Sequence, residues 1–130
     1  PWRVAVQDPQ NSSAAAVVLE LSDAYAVTSG GYQRYFEQDG VRYHHILDPK
    51  TGRPAASGLQ SVSVVSQDDT LADALSTALF VMGLDAGAAL YRAGDLAFEA
   101  VFMTDDGSVW ITPGLAGQYQ SDRPYQVLQP

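Results

Sequence analysis

Apolar and polar residues alternate in short runs along most of the chain and switch to a helical period in one late segment. Residues 2–7, WRVAVQ, and 15–21, AAVVLEL, have strand length, and DAYAVTSGG supplies a third strand ending in a Gly pair that permits backbone shapes other residues resist. The run YQRYFEQDGVRYHHIL carries the clearest local signal, because Asp39-Gly40 between two aromatic-rich segments predicts a two-residue hairpin turn. That turn fixes the register: Gln38 faces Val41, Glu37 faces Arg42, Phe36 faces Tyr43, Tyr35 faces His44 and Arg34 faces His45. Opposite charges and an aromatic pair then meet across the strands. SVSVVS, residues 61–66, reads as a further strand.

After Gln67-Asp68-Asp69, the segment TLADALSTALFVMG predicts a helix capped by Thr70 or an Asp and stopped by Gly83, and DAGAALYRAG predicts a second. LAFEAVFMT, a turn at Asp106-Gly107 and SVWIT follow. The polar, Pro- and Gln-containing stretch 113–130 is expected to be a loosely held tail. Strands joined mostly by hairpins, with both helices grouped late, predict an α+β fold: a mostly antiparallel sheet with a late pair of helices packed on it.

Composition narrows the function classes. A length of 130 residues supports one core, and 46% hydrophobic content is that of a globular chain. Fifteen acidic against seven basic side chains give a net charge of −8, a field that repels phosphate backbones, so nucleic acid is excluded as an expected partner. An anionic ligand remains possible where a divalent cation neutralises it at the contact. The chain has no Cys, which removes thiol catalysis, disulfides and Cys-ligated metals. No apolar run is long enough to span a bilayer. The opening PWRVAVQDP, without Met or signal core, is expected of a trimmed or internal piece.

Both histidines of the chain fall in RYHHILDPKTGRP. Successive strand residues point to opposite faces, so His44 and His45 cannot serve one ligand from regular strand geometry. Asp48, Pro49 and Gly52 are explained by turn preferences alone, and Lys50 and Arg53 by a solvated turn. On the predicted helix, Leu71, Leu75, Ala78 and Met82 form one apolar stripe, while Asp73, Ser76 and Thr77 share an arc of roughly 100°. Two readings of that polar window compete. Thr70-x-x-Asp73 has the spacing of a capping box, which would spend the Asp on helix stability. Alternatively, a carboxylate and a hydroxyl one turn apart supply two hard oxygens of the kind Mg2+ accepts when phosphates complete its shell.

YHHILDPKTGRP followed by LADALSTALFVMG, with WRVAVQDP and AVTSGGYQRYF before them, resembles the ApbE family of FAD:protein FMN transferases over residues 2–111. The resemblance implies Mg2+-dependent transfer of FMN from FAD to a Ser or Thr hydroxyl of an acceptor protein, with release of AMP. It also implies His45 as the catalytic histidine, Asp73 and Thr77 as metal ligands, and Ser29, Gly30, Tyr32, His45 and Ile46 as FAD contacts. Tyr32 is explained equally by hairpin packing. Gly31 stands where the family pattern has a polar residue. Family members are about twice this length, so residues 1–130 are expected to be a C-terminal domain whose N-terminal half is missing, with little activity alone. The family also implies a bacterial periplasmic or membrane-anchored setting. FAD pyrophosphatase activity and a non-catalytic flavin-binding or assembly module are the rival readings.

Overall fold

The structure, a computed structural model, describes residues 1–130. In chain order the elements are β1 (Trp2–Asp8), β2 (Asn11–Leu21), β3 (Tyr25–Gly30), β4 (Tyr35–Gln38), β5 (Val41–His44), β6 (Leu47–Asp48), β7 (Arg53–Pro54) and β8 (Leu59–Ser66). There follow α1 (Asp69–Met82), α2 (Leu84–Ala93), β9 (Glu99–Thr104), β10 (Val109–Ile111), a 3-10 turn at Pro113–Leu115, β11 (Tyr119–Gln120) and β12 (Gln126–Val127). The α+β architecture is as expected, with two helices against mostly antiparallel sheet. No helix is long and apolar enough to cross a membrane.

A five-stranded sheet ordered β12-β10-β9-β8-β3 forms the middle layer. Alternate side chains leave it in opposite directions, and both faces are covered. Val62, Val64, Ala100 and Phe102 pack on one side against Ala72, Leu75, Leu79, Phe80 and Ala88 of the helices. Val65, Val101, Met103 and Ile111 pack on the other side against Val6, Val17, Leu19 and Leu21 of a three-stranded sheet ordered β1-β2-β11. This double burial is why the polar residues of β8 between Ser61 and Ser66 are all small serines set among valines.

Asp68, rather than Thr70, caps α1: its carboxylate accepts from Leu71 N at 3.0 Å. Thr70 lies inside the helix with its hydroxyl turned to Asp69, so the capping box is not built. The buried stripe of α1 is Ala72, Leu75, Ser76, Leu79 and Phe80. The expected stripe through Ala78 and Met82 is thereby corrected: both are exposed, because the helix is rotated toward β3 and β8. Gly83, at φ 86°, ends α1 as expected.

The segment from Pro113, expected to be loose, is tied down instead. Leu115, Tyr119 and Leu128 are buried, β11 pairs with β2, and β12 runs parallel to β10. Arg123 pairs with Asp8, which is 5% exposed. Single apolar anchors and one ion pair hold this stretch, a pattern too sparse to show periodicity.

Two outcomes follow from this packing. Arg123→Ala leaves the Asp8 carboxylate buried without its cation, and equilibrium urea unfolding should show a loss of about 2 kcal/mol, reduced from the fully buried case because the arginine is partly exposed. In the β9–β10 turn, hydrogen bonds from Thr104 Oγ1 and Ser108 N hold the exposed Asp106 carboxyl down at about 2. Its stabilisation is complete above the ordinary value of 3.8 and is lost as pH falls toward 2. Carbon-detected NMR titration should find that low midpoint in the native chain and a higher one, still below 3.8, in Thr104→Val, which keeps the bond from Ser108 N.

Candidate functional site

The excursion between β3 and β8 starts and ends at one place, where Gly31 N donates to Gln60 O at 3.3 Å. Within it the β4–β5 hairpin has the expected register, from Tyr35↔His44 to Gln38↔Val41. Asp39 and Gly40 take φ of 52° and 76°, the left-handed pair that a type I′ turn needs. Phe36 and Tyr43 stack at 5.0 Å, Arg42 lies over the Tyr35 ring at 4.1 Å, and Arg42 pairs with Glu37 at 3.6 Å. The hairpin stands in solvent, with Phe36 60% and Val41 50% exposed.

The two histidines have opposite environments. His44 Nε2–H donates to Ala55 O at 3.0 Å, its Nδ1 accepts from Ile46 N at 3.3 Å, and its ring meets Phe80 edge-on at 5.5 Å. Both nitrogens are therefore used in holding the loop to α1. His45 is exposed, and its Nδ1–H donates to Arg34 O at 3.3 Å. That bond fixes the tautomer and leaves the Nε2 lone pair facing out. Ile46 lies in the core beneath α1, and both of its backbone groups are taken, by His44 Nδ1 and Ala55 N. It anchors the loop and has no free polar group to offer a ligand. The Asp48–Gly52 turn is closed by Gly52 N donating to Asp48 O at 2.8 Å and Lys50 N donating to Asp48 Oδ1 at 2.9 Å.

On the α1 side, Ser29 Oγ lies 2.8 Å from Ser76 Oγ and 3.1 Å from Thr77 Oγ1. Residues 47 and 48 positions apart thus meet because β3 lies under the helix. Ser76 Oγ also donates to Asp73 O at 2.9 Å. The Asp73 side chain is exposed one turn before Thr77 and takes no part in helix capping. No group of three or more His, Asp or Glu side chains forms a ready metal cage. The donor set is one carboxylate and a cluster of hydroxyls, which suits a hard cation that keeps waters and takes its remaining oxygens from a ligand.

Farther along α1, a cavity of about 240 Å3 opens between Gly31, Tyr32, His44, Ser57, Gln60 and Phe80. Gly30 is buried beneath the Tyr32 ring, and a Cβ there would meet Tyr32 Cε1 at 2.3 Å. The Tyr32 hydroxyl is buried with no hydrogen-bond partner, and burial raises its pKa above the ordinary tyrosine range. A Cβ at Gly31 would meet the His44 ring at 2.9 Å, so in this chain the ring occupies space that a larger residue 31 would need. The structure therefore joins Ser29 to Thr77 and Ser76, and groups Gly31, Tyr32 and His44 around the neighbouring cavity. His45 stands apart from both, on the opposite face of the β5 end. His44, to which the family resemblance gives no role, proves to be the fastener of the loop; its place beside an aromatic–aromatic hairpin pair was the available signal.

Comparison with known proteins shows which family has this sequence and fold. The ApbE family model matches residues 1–102. An FAD:protein FMN transferase of Treponema pallidum is 44% identical over 115 residues, 88% of this chain and 32% of that protein. One from Vibrio cholerae is 43% identical over 108 residues, 82% of this chain and 32% of that protein. Among solved structures, the ApbE protein of Thermotoga maritima superposes with a TM-score of 0.75 at 42% identity, covering 84% of this chain and 35% of that one. The apo form of Pseudomonas stutzeri flavinyl transferase ApbE gives a TM-score of 0.69 at 38% identity, covering 91% and 36%. The chain spans about a third of the length of these relatives. With more than three quarters of its residues matched by the family model, the chain belongs to the ApbE family.

Proposed function

We propose that this chain supplies the metal-binding helix and histidine loop for transfer of FMN from FAD to a Ser or Thr hydroxyl of an acceptor protein. The observation that carries the proposal is the convergence of Ser29, Ser76 and Thr77, with the exposed Asp73 one helical turn before Thr77. Asp73 and Thr77 are the residues that would hold Mg2+, whose chemistry there is to neutralise pyrophosphate charge and so favour departure of the phosphate leaving group. Ser29 holds the Thr77 hydroxyl in place.

In the proposed reaction the acceptor oxygen bonds to the FMN-side phosphorus of FAD as the bond from that phosphorus to the bridging oxygen breaks. AMP departs with the bridging oxygen and its electron pair. His45, whose Nε2 is left free by the bond to Arg34, would take the acceptor proton, or hydrogen-bond the transferring phosphate while water takes that proton, once its exposed loop is brought toward Thr77. Tyr32, with its unpaired hydroxyl, forms a wall that receives part of the dinucleotide, and Gly30 beneath it leaves room for the ring. Residues from the rest of a full-length relative would complete the pocket, so the chain alone is expected to bind FAD more readily than it turns it over.

Flavin fluorescence should report FAD binding that Mg2+ strengthens roughly tenfold, an enhancement lost in Asp73→Ala and kept in Thr70→Ala, which touches only the first helical turn. Equal losses in both variants would return Asp73 to a helix-stabilising role. Mass spectrometry of an acceptor protein incubated with FAD, Mg2+ and the chain should find an FMN adduct on Ser or Thr. FMN and AMP appearing with no adduct would replace transfer with hydrolysis.

A further inference from the structure

β3 is an outer strand of the five-stranded sheet, and its free edge is unguarded. The register Tyr25↔Ser66 through Gly30↔Ser61, continued by the Gly31 N to Gln60 O bond, decides which backbone groups point away from β8. Hydrogen-bonded and non-bonded pairs alternate in an antiparallel ladder. Gly31, Ser29, Val27 and Tyr25 therefore turn their N–H and C=O groups toward β8, and Ala26, Thr28 and Gly30 turn theirs outward. Gly30 is covered by Tyr32, but Ala26 is exposed and Thr28 is half-exposed. None of the backbone bonds outside regular pairing uses residues 25–30. The segment YAVTSG has no charge and no Pro, the usual guards of an edge. By contrast, the outer strand β1 carries Arg3 and two register shifts, while β11 and β12 are only two residues long.

The side chains above this edge are those of the candidate site. Ser29 faces α1 and touches the exposed Thr77. A strand added beside β3 would lie about 4.8 Å away, and the residue opposite Ser29 would have its Cβ about 5 Å from that of Ser29, under Thr77 and Asp73.

We propose that β3 receives the acceptor polypeptide as an added strand, main-chain bonds to Ala26 and Thr28 setting its register so that its Ser or Thr side chain stands beside Ser29. The inference rests on the transfer reading, which requires a protein acceptor to reach Thr77 and Asp73. It assigns substrate recognition to backbone pairing, and it expects the acceptor to be extended at the modified residue, with small or apolar side chains two and four residues away, next to Val27 and Tyr25.

The test uses the 15N-labelled chain with FAD, Mg2+ and a soluble peptide in which valine and threonine alternate between terminal lysines. Amide exchange at Ala26 and Thr28 should slow roughly tenfold on addition of the peptide, with β12 unaffected. Ala26→Pro removes an outward N–H without touching the β8 ladder, a position where Pro is tolerated, and should abolish the slowing at Thr28. A peptide N-methylated at alternate residues should also fail. Slowing upholds the strand-accepting edge whether or not the chain alone forms an adduct, and the absence of an FMN adduct when a full-length relative is given the same peptide, FAD and Mg2+ counts against transfer. Unchanged exchange at Thr28, binding that survives Ala26→Pro, or slowing in the free chain that grows with its concentration would each overturn the proposal, the last by giving the edge to a second copy.

Discussion

Everything in this molecule is arranged around the burial of β8 on both of its faces. Val62 and Val64 are wholly buried against the helices, and each burial contributes about 2 kcal/mol. Val65 is buried against the three-stranded sheet on the other side. A strand so enclosed leaves no solvent for its polar side chains, and the serines between the valines are bonded accordingly. Ser63 pairs with Thr28 at 2.7 Å and Ser66 donates to Ala97 O at 3.0 Å. These bonds lock β3 and the approach to β9 on either side of β8, and α1 then has one place to lie.

The chemistry-bearing residues hang from that frame in two ways. Ser29 and Thr77 belong to the frame itself, one on β3 and one on α1, and inherit its rigidity. The histidines belong to an excursion that leaves β3 at Gly31 and returns at Gln60. Its hold on the core is through Ile46 and Ala55, both buried in the helix-side cluster, and through the ring of His44 between them and Phe80. Such a loop can carry an exposed imidazole at a defined place while the hairpin beyond it remains free in solvent. On the proposed reading, hydroxyls fixed in the frame and an imidazole on a tethered, accessible loop suit a reaction whose second substrate is another protein.

The sequence made some of this legible for clear physical reasons. Asp39-Gly40 demanded a left-handed turn and thereby fixed every cross-strand pair of the hairpin. Gly83 ended α1 because few other residues take its backbone angles. The start of α1 was ambiguous because Asp68, Asp69 and Thr70 are all competent caps, and only the geometry of Leu71 N chooses among them. The C-terminal stretch was opaque because its hold on the fold comes from isolated residues, Leu115, Tyr119 and Leu128, with Arg123 reaching back to Asp8 at the start of the chain. The contact of Ser29 with Thr77 was beyond periodicity for the same reason: nothing local links residues so far apart. Ile46, a motif position read as a ligand contact, has its side chain in the helix-side core, where it anchors the loop.

The tight seat of His44 over Gly31 links two positions separated by the whole hairpin. As long as the imidazole occupies that seat, residue 31 is restricted to glycine, and any relative with a side chain there must have given the ring up or turned it elsewhere. The two positions thus share one space, and a change at either is expected to require a change at the other.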